Sequence, residues 1–483
     1  MMVSPDWLHY QAEVHKDRTA LVTSEGRWSF QQLDSDTARL AGVLKGLGIG
    51  AGDRVAYHLT PSRHQVLIIH ALTRLKAVLV PLNTRLSEAE LDRILIDADP
   101  HFIIHDTDRQ KWPLGLTALE VNQITALHSH DTIAPQELVF DDLHALIYTS
   151  GTTGRPKGVE LTVGNQWWSA QGFSLQAGLF PNDRWLNVMP LFHVGGLAIL
   201  FRSIIHGSTV FLESRFNAQS SYTLMEREGI TLLSVVPTML HRLLELGRPA
   251  PASLRLVLLG GAPATETLIQ QARREGYPVV ATYGLTETSS QVVTQDIHDE
   301  GPSTGHASLP TQIRIVDDGR DCPRGQLGEI WIKGPTVARG YWRQPQENQS
   351  VFLDGWLKTG DLGTLDEFGL LTVTDRIKET IVRGGENIYP REVEKLLLKV
   401  PDVTDAAVFG YPNAHWGEVV ACMIVADCKV SRRDIQSFLS NNLASYKIPS
   451  IYFRADAIPR NPAGKVLRRQ LASQAEALPE WVD

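Results

Sequence analysis

The densest concentration of chemically useful side chains is the run Tyr148-Thr149-Ser150-Gly151-Thr152-Thr153-Gly154-Arg155-Pro156-Lys157-Gly158. Its small residues let successive backbone N–H groups converge, its hydroxyls add donors, and Lys157 supplies a cation, a combination suited to polyphosphate. The spacing is not G-x-x-x-x-G-K-[ST], so this is not a Walker A loop. A plain Gly/Thr hairpin turn would explain the glycines but not the lysine and the clustered hydroxyls. Further candidates lie downstream. Asp361 follows a glycine in what reads as a turn, where a carboxylate can accept both hydroxyls of a ribose or merely cap the turn. Tyr283 offers a flat face for adenine, or a ring for the core. Lys465 sits in a Pro- and Gly-rich loop from which it can reach a cleft, although a solvated basic tail explains it too.

The loop resembles the phosphate loop of the adenylate-forming superfamily, which includes acyl- and aryl-CoA ligases, luciferases and peptide-synthetase adenylation domains. The resemblance continues in order along the chain. Tyr283-Gly284-Leu285-Thr286-Glu287 matches the adenine and magnesium motif, and Trp356-Leu357-Lys358-Thr359-Gly360-Asp361 the ribose motif. Asp375-Arg376-Ile377-Lys378-Glu379 matches the hinge and runs into Gly384-Gly385-Glu386-Asn387-Ile388-Tyr389-Pro390. Pro459-Arg460-Asn461-Pro462-Ala463-Gly464-Lys465 matches the C-terminal lysine motif. The matching region spans residues 148–469.

The resemblance implies an ATP site built from Thr149, Ser150, Gly151, Thr152, Thr153, Gly154 and Lys157, from Gly261, Ala262 and Pro263, and from Thr282, Tyr283, Thr286, Asp361, Arg376 and Lys465. It implies that Thr286 touches the α-phosphate and that Glu287 helps hold Mg2+, a hard cation suited to carboxylate and phosphate oxygens. Lys465 would bridge the acid's carboxylate and the α-phosphate, countering charge in the transition state. The implied reaction has two steps: acyl-AMP and pyrophosphate form first, and coenzyme A then takes the acyl group. Between them a C-terminal domain would pivot near Lys378, withdrawing Lys465 and bringing Gly384 and Gly385 beside a pantetheine tunnel. No Ser-His-Asp set argues for an acyl-enzyme.

For the acid, Pro190-Leu191-Phe192-His193-Val194-Gly195-Gly196-Leu197 matches a family segment whose histidine gates the acyl pocket, which places His193 and Gly195 there. A lone histidine among apolar residues is otherwise a core side chain. Residues 190–203, residues 258–294 and the chain's ending resemble the 2-succinylbenzoate:CoA ligases of menaquinone biosynthesis. Such an acid has two carboxylates: the aliphatic one is activated, and the aromatic one needs donors. Arg202, Ser289, Ser290 and Gln291 are candidates, arginine being the natural fork for a carboxylate; a surface or ion-paired arginine is the other reading of Arg202. A benzoate or medium-chain acid ligase stays open. A non-catalytic nucleotide-binding homologue predicts loss of Lys465, Asp361 or Glu287, all of which are present. An adenylation domain feeding a carrier protein predicts a Ser-bearing carrier motif, which is not seen before Asp483.

These residues need a scaffold. Residues 254–259 read as an apolar strand, 264–274 as a helix and 278–282 as a second strand, the alternation of a layered α/β domain whose ligands sit beyond strand C-termini. Residues 66–82, broken by Arg74 and Lys76, read as a core helix running into a strand rather than a membrane span. From Gly328 short strands are punctuated by Gly355, Gly360, Gly363 and Gly369. Val393, Leu396, Leu397 and Val400 recur at helical spacing after Pro390, with strands expected at 406–409 and 419–426 and a helix at 432–443. The expected fold is therefore α/β: a large N-terminal domain of layered sheets and helices over 1–374, a hinge at 375–379, and a small mobile α+β domain over 380–483.

Composition agrees with an enzyme of this size. Of 483 residues 43% are hydrophobic and 21% charged, and the net charge of −8 argues against a nucleic-acid role, which usually needs a basic excess. Cys322, Cys422 and Cys428 are too scattered for a disulfide framework. Residues 1–17 carry no apolar leader-like run, so a cytoplasmic enzyme without membrane insertion is expected. Family members are often dimers, which leaves a homodimer open.

Overall fold

The computed structural model describes residues 2–481 other than 110, 114, 128–130, 150–155, 179, 181, 263, 300–302, 384–385, 414–416, 428, 444 and 462–463. Two large sheets carry most of the chain before residue 310. One has seven strands and is parallel at its centre, where Arg54–His58 lies between Val78–Pro81 and Phe102–His105. The other has nine strands, with Thr209–Leu212, Arg184–Asn187, Leu232–Val235, Leu256–Leu259 and Val279–Leu285 running parallel. Strands such as Leu256–Leu259 are apolar at every position because helices cover both faces of a parallel sheet.

Between the two sheets lies a shared helical layer. Helix Arg63–Arg74 is buried from Gln65 onward, and Gln65, His70, Thr73 and Arg74 are buried along with its apolar residues. Leu67, Ile68 and Leu72 join Val55, Leu79 and Ile147 of the first sheet to Leu197, Phe201 and Ile204 of helix Val194–His206 in one core cluster. The arginine noted in the sequence as breaking this apolar run is structural. Arg74 is 1% exposed, its Nε donates to Asp6 Oδ2 at 2.6 Å, and its Nη2 pairs with Asp34. Asp6 also caps helix Trp7–Val14 by accepting from Leu8 and His9 N–H.

The parallel pairing of Leu256–Leu259 with Val279–Leu285 aligns Val257 with Val279, which brings Gly260 against Thr282 at the strand ends. A Cβ on Gly260 would fall 2.3 Å from Thr282 Oγ1, so this approach requires glycine. The helix between them, Glu266–Arg274, starts two residues later than the periodicity predicts, because Thr265 caps it. The second strand runs on through Tyr283, Gly284 and Leu285.

A six-stranded sheet follows, centred on Gly328–Lys333 and Trp356–Leu365. This corrects the expected punctuation. Gly360 and Gly363 lie inside the strand Trp356–Leu365, at positive φ and at a register shift respectively, so Asp361 belongs to a kinked strand and not to a turn. The last sheet joins Val403–Asn413, Gly417–Ala426, Ile381–Arg383 and Glu386–Ile388, with Ile451–Arg454 adding a parallel strand that the sequence pattern had not revealed. Its core of Ile381, Ile388, Val393, Leu397, Val400, Val408 and Tyr452 draws only on residues from 381 onward. The helix there spans Pro390–Leu397 with proline in its first turn; Val400 lies beyond its end yet fills the same core. Among the described residues no helix is long and apolar enough to cross a membrane.

Removing one member of a buried ion pair leaves the other charge uncompensated, at a cost of about 3–5 kcal/mol. Arg74→Met should therefore lower the thermal midpoint sharply, and Asp6→Asn in the same chain should recover part of the loss. A midpoint unchanged by Arg74→Met in calorimetry would remove the ion cluster from the fold's support.

Candidate active site

A cavity of about 600 Å³ opens where the sheets meet, at the C-terminal ends of the parallel strands. Of the residues singled out from the sequence, Thr149, Lys157, His193, Gly195, Arg202, Gly261, Thr282, Thr286, Glu287, Ser290, Gln291, Arg376 and Lys465 all line it. Segments more than three hundred residues apart in sequence thus face one space. Ser150, Gly151, Thr152, Thr153, Gly154, Pro263, Gly384 and Gly385 lie outside the described residues, as does the side chain of Lys378.

Tyr283, Asp361, Ala262 and Ser289 do not line the cavity. Asp361 is nearly inaccessible, and both its oxygens already hold protein donors: Tyr283 Oη at 2.8 Å and Arg376 Nε at 2.6 Å. A carboxylate offers about four lone-pair sites, so it retains acceptor capacity. Ser289 corrects an expectation. Its hydroxyl is buried and donates to Thr336 O at 3.1 Å, because a left-handed backbone at Ser289 turns the side chain away from the cavity. Ser290, also at positive φ, presents its hydroxyl to Gln291 Oε1 at 3.2 Å.

At one part of the wall, Lys157 ion-pairs with Glu347 and lies 5.3 Å from the centre of the Tyr341 ring. Tyr341 Oη donates to Glu287 Oε1 at 2.7 Å. Glu347 and Tyr341 were missed in the sequence because nothing local marks them: the pairing with Lys157 spans 190 positions. Among the described residues no cluster of three or more metal-binding side chains occurs. Glu287 alone fits Mg2+ arriving with ATP, since that ion takes one or two carboxylates and fills its sphere with phosphate oxygens and water.

Lys465 follows Gly464 at φ 80° and is tethered by its own N–H to Asn461 Oδ1 at 2.9 Å. Its Nζ is 3.4 Å from Glu379 Oε1. Burial and the Arg376 charge pull its pKa below the usual lysine range, partly opposed by Glu379 and Asp361.

Another part of the wall is largely apolar with one unusual cation. His193 stands at the N-terminus of helix Val194–His206, its ring 4.6 Å from that of Phe192. Burial, helped by the Arg85 charge, pushes its pKa down to about 4, so it is neutral at pH 7. Arg202, on the same helix, is 2% exposed. Its Nη1 donates to Gln291 Oε1 and its Nη2 to Ser169 Oγ, each at 2.8 Å, with the guanidinium 5.0 Å from the Phe173 ring centre. It is neither at the surface nor ion-paired: burial alone pushes its pKa down to about 9, and among the described residues no carboxylate offsets that. Among the described residues, Arg202 Nε and Gln291 Nε2 are buried donors without partners. Ser169 was not singled out beforehand. Its signal was a polar stripe, Asn165, Gln166 and Ser169, on the buried face of helix Val163–Ala177.

The AMP-binding enzyme family matches residues 8–342, and the C-terminal domain of AMP-binding enzymes matches residues 392–465. The chain is 38% identical to the 2-succinylbenzoate–CoA ligase of Bacillus licheniformis, over 98% of this chain and all of that one. The o-succinylbenzoate CoA synthetase of Bacillus subtilis in complex with its acyl-adenylate intermediate superposes with a TM-score of 0.93 at 38% identity, covering 98% of each chain. The same Bacillus subtilis enzyme with ATP and magnesium ion gives a TM-score of 0.92 at 38% identity, over 97% of this chain and all of that one. Sequence and fold agree along the full length, and this chain belongs to the AMP-binding enzyme family.

Proposed function

We propose that this chain is an ATP-dependent 2-succinylbenzoate–CoA ligase serving menaquinone synthesis, acting in the cytoplasm through an acyl-adenylate. The observation that carries the substrate is Arg202: a buried cation that, among the described residues, has no counter-ion, with donors on Arg202 and Gln291 left unpartnered there, in the wall of the cavity that Lys465 also lines. A cavity with Lys465 in its wall and a second, buried cation in Arg202 suits an acid with two carboxylates. Burying an isolated charge is expensive, so the aromatic carboxylate completes an arrangement the protein leaves incomplete. The apolar side chains of Met189, Val194, Ile199 and Leu258 are then walls for the ring.

In the first step an oxygen of the aliphatic carboxylate bonds to the α-phosphorus while the bond to pyrophosphate breaks. Lys465 places its ammonium between the attacking carboxylate and the α-phosphate and stabilises the negative charge gathered there. Thr286 adds a hydroxyl donor to the α-phosphate, Asp361 accepts ribose hydroxyls, and Lys157 exchanges Glu347 for phosphate oxygens. Mg2+ at Glu287, when bound with ATP, neutralises phosphate charge. In the second step the thiol of CoA attacks the acyl carbon and AMP leaves. We assign 375–379 as the hinge between domains at 1–374 and 380–483, with Lys378 absorbing the backbone change that withdraws Lys465. The separate core beyond residue 381 supports a unit able to move as a body.

Pyrophosphate release with ATP and Mg2+, with and without CoA, across 2-succinylbenzoate, benzoate, octanoate and acetate tests the assignment. CoA-supported turnover confined to 2-succinylbenzoate is expected; turnover with benzoate or octanoate instead overturns the substrate and keeps the chemistry. Lys465→Ala should lower adenylate formation by about 10²–10³-fold and largely spare thioester formation from supplied acyl-adenylate. Equal losses in both steps would contradict a lysine confined to the first. Arg202→Met should raise the KM for 2-succinylbenzoate by about 10–100-fold, the worth of a charged hydrogen bond. The same substitution should barely move the KM of a matched keto acid lacking the aromatic carboxylate, and an unchanged ratio of the two would remove Arg202 from recognition.

A further inference from the structure

Lys465 belongs to a longer chain of charges. Glu379, whose Oε1 faces Lys465 Nζ at 3.4 Å, gives its other oxygen to Arg468. Arg468 continues onto Glu394, with Nη2 2.7 Å from each carboxylate oxygen, and its Nε donates to Val408 O at 3.1 Å. Glu394 also accepts from Val408 N–H at 2.8 Å. Cation and anion thus alternate through Lys465, Glu379, Arg468 and Glu394, and the last three are shielded from water (16%, 10% and 13% exposed). The far end is anchored on helix Pro390–Leu397 and strand Val403–Asn413, both part of the rigid C-terminal core. Lys465 itself sits in a loop pinned by the bridge between Arg460 and Val466.

A lysine on such a loop has a flexible four-carbon stem, and its ammonium must be held in place to act on a transition state. We propose that Glu379 is the positioning residue for Lys465: its carboxylate, clamped from behind by Arg468, holds the ammonium at the cavity wall. This rests on the reading that Lys465 acts on the α-phosphate in adenylation. The second consequence is electrostatic. Burial and Arg376 push the Lys465 pKa down, while Glu379 and Asp361 push it up. Glu379 stays ionised despite burial because Arg468, Lys465, Arg376 and Arg391 surround it. Arg468 is kept charged by Glu394, Glu379 and Asp375. Lys465 is useful only as the ammonium, so adenylation declines as pH rises through its pKa. Without the Glu379 charge that pKa drops further, and the decline begins at lower pH.

The test is Glu379→Gln in the full chain beside Lys465→Ala, with both half-reactions followed as a function of pH. For Glu379→Gln the kcat of adenylation should fall about tenfold and its alkaline limb move about one pH unit towards acid, with the KM for ATP and thioester formation from supplied acyl-adenylate little changed. Glu379→Asp keeps the charge but shortens the reach, so it should lower kcat while leaving the limb in place. That variant also decides the matter if Glu379→Gln does not fold, because wild-type kcat in Glu379→Asp overturns the positioning role. An unmoved limb in a folded Glu379→Gln, or equal loss in both half-reactions, overturns the proposal as well. If Lys465→Ala leaves adenylation intact, the reading of Lys465 itself fails; if it abolishes adenylation while the Glu379 variants behave as wild type, only the present inference fails.

Discussion

The carboxylate of Asp361 is the point on which the cavity depends. Tyr283, from a strand of the nine-stranded sheet, holds one oxygen, and Arg376, at the end of the strand Leu371–Arg376, holds the other. Asp361 itself lies on the strand Trp356–Leu365, paired with Leu371–Arg376, so a single buried group ties this hairpin to the distant strand Val279–Leu285. Arg376, which lines the cavity, immediately precedes the short turn Ile377–Glu379, beyond which the core of the last sheet begins at Ile381. Charged hydrogen bonds at these distances are among the stronger directional contacts available to a protein, and a satisfied one locks geometry in a way that apolar packing cannot.

Much of the chamber was legible beforehand, for identifiable reasons. Thr286, Glu287, Arg376 and Lys465 were brought to one site by the ordered motifs shared with the adenylate-forming superfamily, and all four line the cavity; the residue types alone left a solvated side chain as an equal reading of Lys465. The strands expected at 254–259 and 278–282 were readable from their apolar runs; they form at 256–259 and 279–285, and their parallel pairing puts Gly260 against Thr282. What escaped was set by tertiary contact. Asp361 looked like a turn residue because Gly360 precedes it, whereas pairing on both sides draws the segment into a strand. Ser289 and Ser290 looked equivalent in sequence, yet consecutive left-handed backbone conformations send one hydroxyl inward and one to the cavity. Glu347 and Tyr341 carried no local signal at all, since their partners lie far away along the chain.

Arg202 shows how a buried cation at a cavity wall differs from a structural ion pair. Arg74 has the same side chain and similar burial, yet two carboxylates close around it and the result is scaffold. Arg202 receives only neutral acceptors, Gln291 and Ser169, and an aromatic face. Neutral dipoles orient a guanidinium without neutralising it. The fold therefore carries an electrostatic deficit at one place, while its partners keep the fork aimed and unable to collapse onto a competing protein anion.

The neighbouring glycines Gly195, in the cavity wall, and Gly196 stand in very different surroundings. A side chain at residue 196 would drive its first carbon to 2.3 Å from Pro190 O and 2.7 Å from Met189 O, so that position is closed to variation by the backbone itself. At residue 195 the nearest obstacle is the end of the flexible Met189 side chain, at 3.8 Å, and the position opens onto the cavity. Two adjacent, chemically identical residues thus differ in what the backbone around them admits. An added methyl group at residue 195 would stand in the cavity wall in ordinary contact with Met189, whereas at residue 196 it would collide with main-chain oxygens.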